Sequence, residues 1–245
     1  MLYGNQSISY YSPSNISIWM TMAMQAGLLN IGGVMIGHQL VSHVTGFVTF
    51  FGSSLVQGDI LHSFMLLLIP FFFLLGAMVS GYFVDIRLKR GKKPKYYITF
   101  GIMFFLLFLV CLLGITGQLG EFGRWEDSKN SYSLLIVLCF VCGIQNGTIS
   151  VVSRSVIRTT HLTGITTDLG LGLMRLINKD ALGSEAKGEG QANLMRIAII
   201  VAFTFGSALG GLVFNYFHFY GFLIPLAISG GLFGLMLYFQ LIKKH

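Results

Sequence analysis

Charge is what this chain most lacks. Of its 245 residues only 10% are Asp, Glu, Lys or Arg, where a soluble domain carries about a quarter. Proline is scarce, at four residues, and so is cysteine, at three. So few charges cannot give a globule of this size the polar surface it needs in water. So few prolines leave its apolar stretches free to run on as helices. Cys111, Cys139 and Cys142 all fall inside those stretches, which excludes a disulfide scaffold. Cys139-x-x-Cys142 reads as two small packing residues at helical spacing, not a redox or metal pair. Also missing are a Ser/His/Asp nucleophile set, a glycine-rich phosphate loop closed by Lys and Ser or Thr, and a dinucleotide fingerprint. His38, His43, His62 and Asp59 match no tight ligand spacing. The expectation is a protein that is not an enzyme, with no cofactor, no metal and no ATP-driven step.

What is present is hydrophobic bulk, 54% of the chain, in long blocks without strand alternation. Six blocks stand out, near 16–37, 60–84, 96–117, 132–153, 194–217 and 220–242. Each is long enough to cross about 30 Å of hydrocarbon as a helix of about 20 residues. An open sheet there would strand backbone groups without partners, so the class is an all-α membrane protein. Met1 to Asn15 has no positive n-region, so the first span is expected to be retained and not cleaved. Trp19, Tyr10 and Tyr11 predict an interfacial belt at one end of that span.

The formal net charge of +7 points away from nucleic acid once its distribution is read. Arg87, Lys89, Arg90, Lys92, Lys93 and Lys95 share one short loop, 87–95, between the second and third spans. The positive-inside rule places it in the cytoplasm. Gln118 to Ser131 leans acidic and fits the outside, while Arg154, Arg158, Arg175, Lys179 and Lys187 return inside, with Lys243 and Lys244. Six spans with both termini cytoplasmic satisfy every cluster. Membrane lipid is the partner this loop suggests.

The chain also repeats itself. Gly27-Leu28-Leu29-Asn30 and Gly143-Ile144-Gln145-Asn146 lie 116 residues apart, and His43-Val44-Thr45-Gly46 and His161-Leu162-Thr163-Gly164 lie 118 apart. Thr49 and Gly52 follow the first block as Thr167 and Gly170 follow the second. Gly76-Ala77-Met78-Val79-Ser80-Gly81-Tyr82 similarly echoes Gly206-Ser207-Ala208-Leu209-Gly210-Gly211-Leu212. The whole chain reads as one membrane domain built from repeat one (16–117) and repeat two (132–242). Val44 to Gln57 and Leu162 to Ile177 are helix-like but too short or too polar to cross. If both crossed, the tail lysines would fall outside. They read as half-helices or re-entrant segments. Each copy then holds three crossings, an odd number, so the second copy sits inverted relative to the first, with a site near the midplane.

Several polar residues become candidates in that frame. Asn30 and Asn146, Thr45, Gly46 and Thr49, and Thr163, Gly164 and Thr167 are candidate solute contacts. Thr can cap a half-helix, and Gly lets backbone or ligand approach closely. Asp168, whose counterpart 118 residues earlier is Phe50, and His161 and His43 are proton-coupling candidates, with Arg154 and Arg158 as charge partners. The structural alternatives are an interhelical hydrogen bond for the asparagines, plain capping for the Thr-Gly pairs, and surface-facing histidines and aspartate. Glycine and alanine at helical spacing (Gly33 and Gly37, Ala77 and Gly81, Gly206 and Gly210, Gly230 and Gly234) predict close helix packing, within one chain or in a homodimer.

The paired blocks from Leu40 to Gly52 and from Thr159 to Gly170 resemble the doubled Thr-Gly motifs of the YoaK family of bacterial multi-span membrane proteins, over most of the chain. Two positions depart from that pattern. Phe47 follows Gly46 where the family usually has Asn, and Asn30 stands where it usually has an acidic residue. The resemblance implies a fold and no settled chemistry. The residues themselves favour a small secondary transporter or exporter of a small solute, proton coupling included. The alternative is a membrane scaffold or sensor that binds lipid or a soluble partner.

Overall fold

The computed structural model describes residues 13–124, 129–153, 161–186 and 188–242. Among these there are helices and no strands. In chain order they are α1 (Pro13–Gly37), α2 (Val44–Val56) and α3 (Ile60–Ser80), which passes through a π-turn (Gly81–Asp85) into α4 (Ile86–Lys89). Then come α5 (Tyr96–Ile115), α6 (Lys129–Val152), α7 (Leu162–Ile177), α8 (Lys179–Leu182), α9 (Glu189–Phe217) and α10 (Leu223–Leu237).

Among the described residues five helical stretches are long and apolar enough to cross a membrane, the last of them the 54 residues Glu189–Ile242. Run straight, that stretch would be about 80 Å long, against about 30 Å of hydrocarbon. It does not run straight. His218 takes φ 51°, a left-handed conformation that a residue with a Cβ rarely adopts inside a helix. The chain reverses there. Met24 and Ile31 of α1 lie beside Gly206 and Gly210 of α9, so α1 and α9 run parallel. Gln25 and Gly32 of α1 meet Ser229 and Phe222, so α10 runs back. The blocks 194–217 and 220–242 are thus separate antiparallel helices.

The remaining directions follow from side-chain pairs. His62 meets Tyr132 and Ser80 meets Thr148, so α3 and α6 are parallel. Gly114 lies against Phe219 and Gly101 against Phe233, so α5 and α10 are antiparallel. The short α2 packs on α3, and α7 packs on α9.

Glycine sets the closest crossings. A Cβ at Gly27 would strike the carbonyl of Phe203, and one at Gly206 the carbonyl of Met24. In the other pair, a Cβ at Gly76 would strike the Phe140 carbonyl, and one at Gly143 that of Phe73. These four are among the glycines the sequence doubles, and they sit where the backbones of α1 and α9, and of α3 and α6, touch. Close backbone approach gives dense packing where hydrocarbon offers helices no hydrophobic drive to associate. The small-residue pairs mostly act within the chain: Gly210 faces Ile31, Gly33 faces Val41, and Ala77 faces Gly147.

The core is apolar, and so is much of the outer surface, unlike that of a soluble protein. Phe64, Phe71, Leu74 and Met78 of α3, Phe105 and Leu112 of α5, and Val201, Phe205 and Leu212 of α9 are exposed, an apolar exterior suited to lipid. This is a helical membrane protein. One expectation fails in detail. Trp19 is 2% exposed and so is not an interfacial belt residue, because α1 lies inside the bundle among α6, α9 and α10. Tyr10 and Tyr11 lie outside the described residues.

Candidate functional site

After α1 the chain folds back on itself. His38 turns it at φ 52°, and the next residues run down the side of α1. A Cβ on Gly33 would collide with Val41 and lie 2.9 Å from the Gln39 carbonyl. The Val41 carbonyl accepts from Cys139 Sγ at 2.9 Å. Ser42 then donates its N–H (3.3 Å) and its hydroxyl (3.0 Å) to Asn30 Oδ1. Asn30 precedes the end of α1 by seven residues, about 10 Å of helix. The segment 38–43 therefore dips into the bundle before α2 starts. Thirteen residues of α2 rise about 20 Å, too little to cross, and return the chain to the start of α3. There Ser54 donates to the Asp59 carbonyl at 3.2 Å, and the Asp59 carboxylate accepts from the His62 N–H at 3.0 Å, capping α3.

The doubled His-x-x-Gly blocks have a local reason. His43 and His161 stand at the N-caps of α2 and α7. A Cβ at Gly46 would sit 2.7 Å from His43 Nδ1, and one at Gly164 would collide with His161 Nδ1. Each glycine leaves room for the imidazole folded over the first turn. Thr49 Oγ1 donates to the Thr45 carbonyl at 2.9 Å, and Thr167 Oγ1 to the Thr163 carbonyl at 3.0 Å, so both hydroxyls are satisfied within their own helix.

The structure does not bring the two Thr-Gly turns onto a shared pocket. Thr45, Thr49, Thr163 and Thr167 are exposed, α2 and α7 pack on different helices, and no hydrogen bond joins the turns among the described residues. Asp168 is also exposed on α7, without an ion pair among the described residues. Its proposed partners Arg154 and Arg158 lie outside them. His38, His43, His62 and Asp59 do not gather. Among the described residues no three His, Cys, Asp or Glu side chains do.

The two asparagines differ. Asn30 is engaged by Ser42, whereas Asn146 Oδ1 is buried without a hydrogen-bond partner among the described residues. By the 118-residue offset the counterpart of Ser42 is Thr160, outside the described residues. A buried acceptor left unpaired costs about 1–3 kcal/mol, so Asn146 is a place that calls for a donor.

Sequence reading missed the most buried polar groups. Gln25 is fully buried and donates to Ser229 Oγ at 2.6 Å. Gln145, equally buried, donates through Nε2 to the Met22 carbonyl at 2.7 Å. Ser80 and Thr148 pair at 2.9 Å between α3 and α6. The available signal was a lone amide in an otherwise apolar span. Also unanticipated is a charged cluster where α7 meets α9. Arg196 donates to Glu189 Oε1 and to Asn193 Oδ1, each at 2.5 Å, and Arg175 reaches Glu189 Oε2 at 3.4 Å. Gly172 of α7 sits directly on this cluster, where a Cβ would collide with Asn193 and Glu189. Asn193 Nδ2 and Arg196 Nε are buried without partners among the described residues.

No curated protein and no solved structure matches the chain. A family model described as "Protein of unknown function (DUF1275)" matches residues 18–235, nearly all of the helical bundle just described, and the chain belongs to that family.

Proposed function

We propose that this membrane protein is a small secondary transporter or exporter of a small polar solute, built as two inverted three-span repeats that rock against each other. Helix direction supports the six-span inverted arrangement. With neither α2 nor α7 crossing, α1 and α9 run parallel, α3 and α6 run parallel, and α5 and α10 run antiparallel, as they do here. A crossing by either short helix alone would reverse α1 relative to α9. Crossings by both would make α5 and α10 parallel. The charge pattern then supports an inner-membrane orientation with both termini and the 87–95 loop in the cytoplasm. The likeness to the YoaK proteins belongs to this reading as well.

One observation carries the transport reading. The chain dips to Asn30 in the first copy, and the matching Asn146 in the second holds a buried oxygen with no partner among the described residues. Backbone and polar side chains at that depth are tolerated where they line a pathway. Proteoliposomes offered a panel of radiolabelled amines, amides and sugars test it. Wild type should accumulate at least one solute above protein-free vesicles, and Asn146→Leu should reduce that flux about tenfold or more while keeping its melting temperature. No flux of any solute, or full flux in Asn146→Leu, rejects the site.

A second reading has its own support. The stripes Thr45, Thr49 and Gly52, and Thr163, Thr167 and Gly170, face outward, with open space at both Gly52 and Gly170. That suits a scaffold or sensor whose short helices are docking faces. Charge reversal across Lys89 to Lys95 separates the two. A transporter loses orientation first, and a scaffold loses its partner with topology intact.

A further inference from the structure

A groove runs along the outer seam of α5 and α10. Its volume is about 510 Å³, and Tyr97, Ile98, Gly101, Ile102, Phe105 and Phe233 are among its lining residues. That is within the range of small-molecule clefts, about 300–1,000 Å³. Glycines on both helices leave room for the rings packed there. A Cβ at Gly101 would sit 3.0 Å from the Phe233 ring, and one at Gly230 would sit 3.0 Å from Phe104. Those two rings stack with centroids 6.1 Å apart. No charged side chain lines the groove, so its occupant there is apolar.

The end of the groove is different in kind. Tyr97 begins two residues after Lys95, the last cation of the 87–95 loop. Gln240 fixes the loop over the seam, donating to the Pro94 carbonyl at 2.8 Å and accepting from the Tyr97 N–H at 3.2 Å. The loop is itself folded: Arg87 Nε donates to the Lys93 carbonyl at 2.8 Å, and the Lys95 N–H to the Phe83 carbonyl at 3.0 Å. The basic loop is thereby tied to the end of the groove at Tyr97, and within the loop's first turn Lys89 pairs with Asp85 at 3.0 Å.

We infer that this seam is a binding site for an anionic phospholipid, with an acyl chain along α5 and α10 and the phosphate headgroup against the basic loop. Charge complementarity selects the lipid class. Clustered basic residues beside a spanning helix favour anionic headgroups, while a zwitterionic lipid gains little from them.

Native mass spectrometry on the full chain, exchanged into micelles with equal phosphatidylglycerol and phosphatidylcholine, tests the site. Wild type should retain phosphatidylglycerol preferentially. The triple variant Arg90→Gln, Lys92→Gln, Lys95→Gln should lower that preference by roughly 10- to 100-fold. Ile98→Trp fills the groove and keeps every charge, and it should reduce retention of both lipids several-fold. Undiminished phosphatidylglycerol retention in Ile98→Trp overturns the site whether or not the triple variant folds. So does equal retention of the two lipids by wild type, or binding of free sn-glycerol 3-phosphate as tight as that of the lipid.

Discussion

The junctions that anchor the two short helices are built from matching positions and opposite chemistry. In the first copy Ser54 of α2 and Ser63 of α3 meet at Asp59, the N-cap of α3; in the second Gly172 of α7 meets Glu189 and Asn193 of α9. Ser54 and Gly172 lie 118 residues apart, and Asp59 and Glu189, like Ser63 and Asn193, lie 130 apart. The first junction is neutral at its centre, Ser54 and Ser63 both donating to the Asp59 carbonyl. The second is ionic, with Glu189 and Arg196 side chains only 11% and 12% exposed. One packing geometry therefore tolerates either a backbone cap or a partly shielded ion pair. The two differ in how much stability goes when a partner is lost. A hydrogen bond to backbone is modest in net terms, while a shielded charge without its counter-ion is costly.

Substitutions can break that contrast or sharpen it. The largest effect is expected for Arg196→Leu, which leaves Glu189 with only the long Arg175 contact. It should cost about 3–5 kcal/mol in reversible unfolding in mixed micelles, against about 1 kcal/mol or less for Ser54→Ala. Equal costs would end the distinction. Next is Gly172→Ala, whose methyl enters the space of Asn193 and Glu189. A loss of about 1–3 kcal/mol is expected, whereas Ser54→Gly, which inserts nothing, should stay below that. The smallest effect concerns a feature the copies share. Gly46→Ala should destabilise by about 1 kcal/mol, and His43→Ala in the same chain should recover most of it, because the ring is what the methyl meets. A double-mutant cycle with no coupling would remove the imidazole-over-glycine account.

The sequence carried a good deal of this. The glycine echoes at Gly27, Gly76, Gly143 and Gly206 marked both backbone crossings, because only a residue without Cβ can sit where two helices touch. The boundaries of the short segments, Val44 to Gln57 and Leu162 to Ile177, were legible because turn and cap residues flank them. The candidate site was less legible. Thr45 and Thr163 repeat in sequence, yet repetition reports a shared local fold, and the local fold turns those hydroxyls into their own helices and outward. Trp19 looked interfacial because a sequence position near a span end says nothing about which neighbours surround that span. Gln25 and Gln145 escaped notice because single amides acquire meaning only when a partner such as Ser229 or the Met22 carbonyl is in place.

Composition alone determined that this chain lives in lipid as helices, since so little charge and so much uninterrupted apolar length leaves no other way to satisfy the backbone. Its recurring Gly-x-x-Asn and His-x-Thr-Gly blocks set the expectation that it is doubled. Tertiary structure decided what each copy does with a polar group. Whether an amide is shared, a carboxylate paired or an oxygen left empty depends on which helix lies a few ångströms away. That distance is set by packing across residues more than a hundred positions apart.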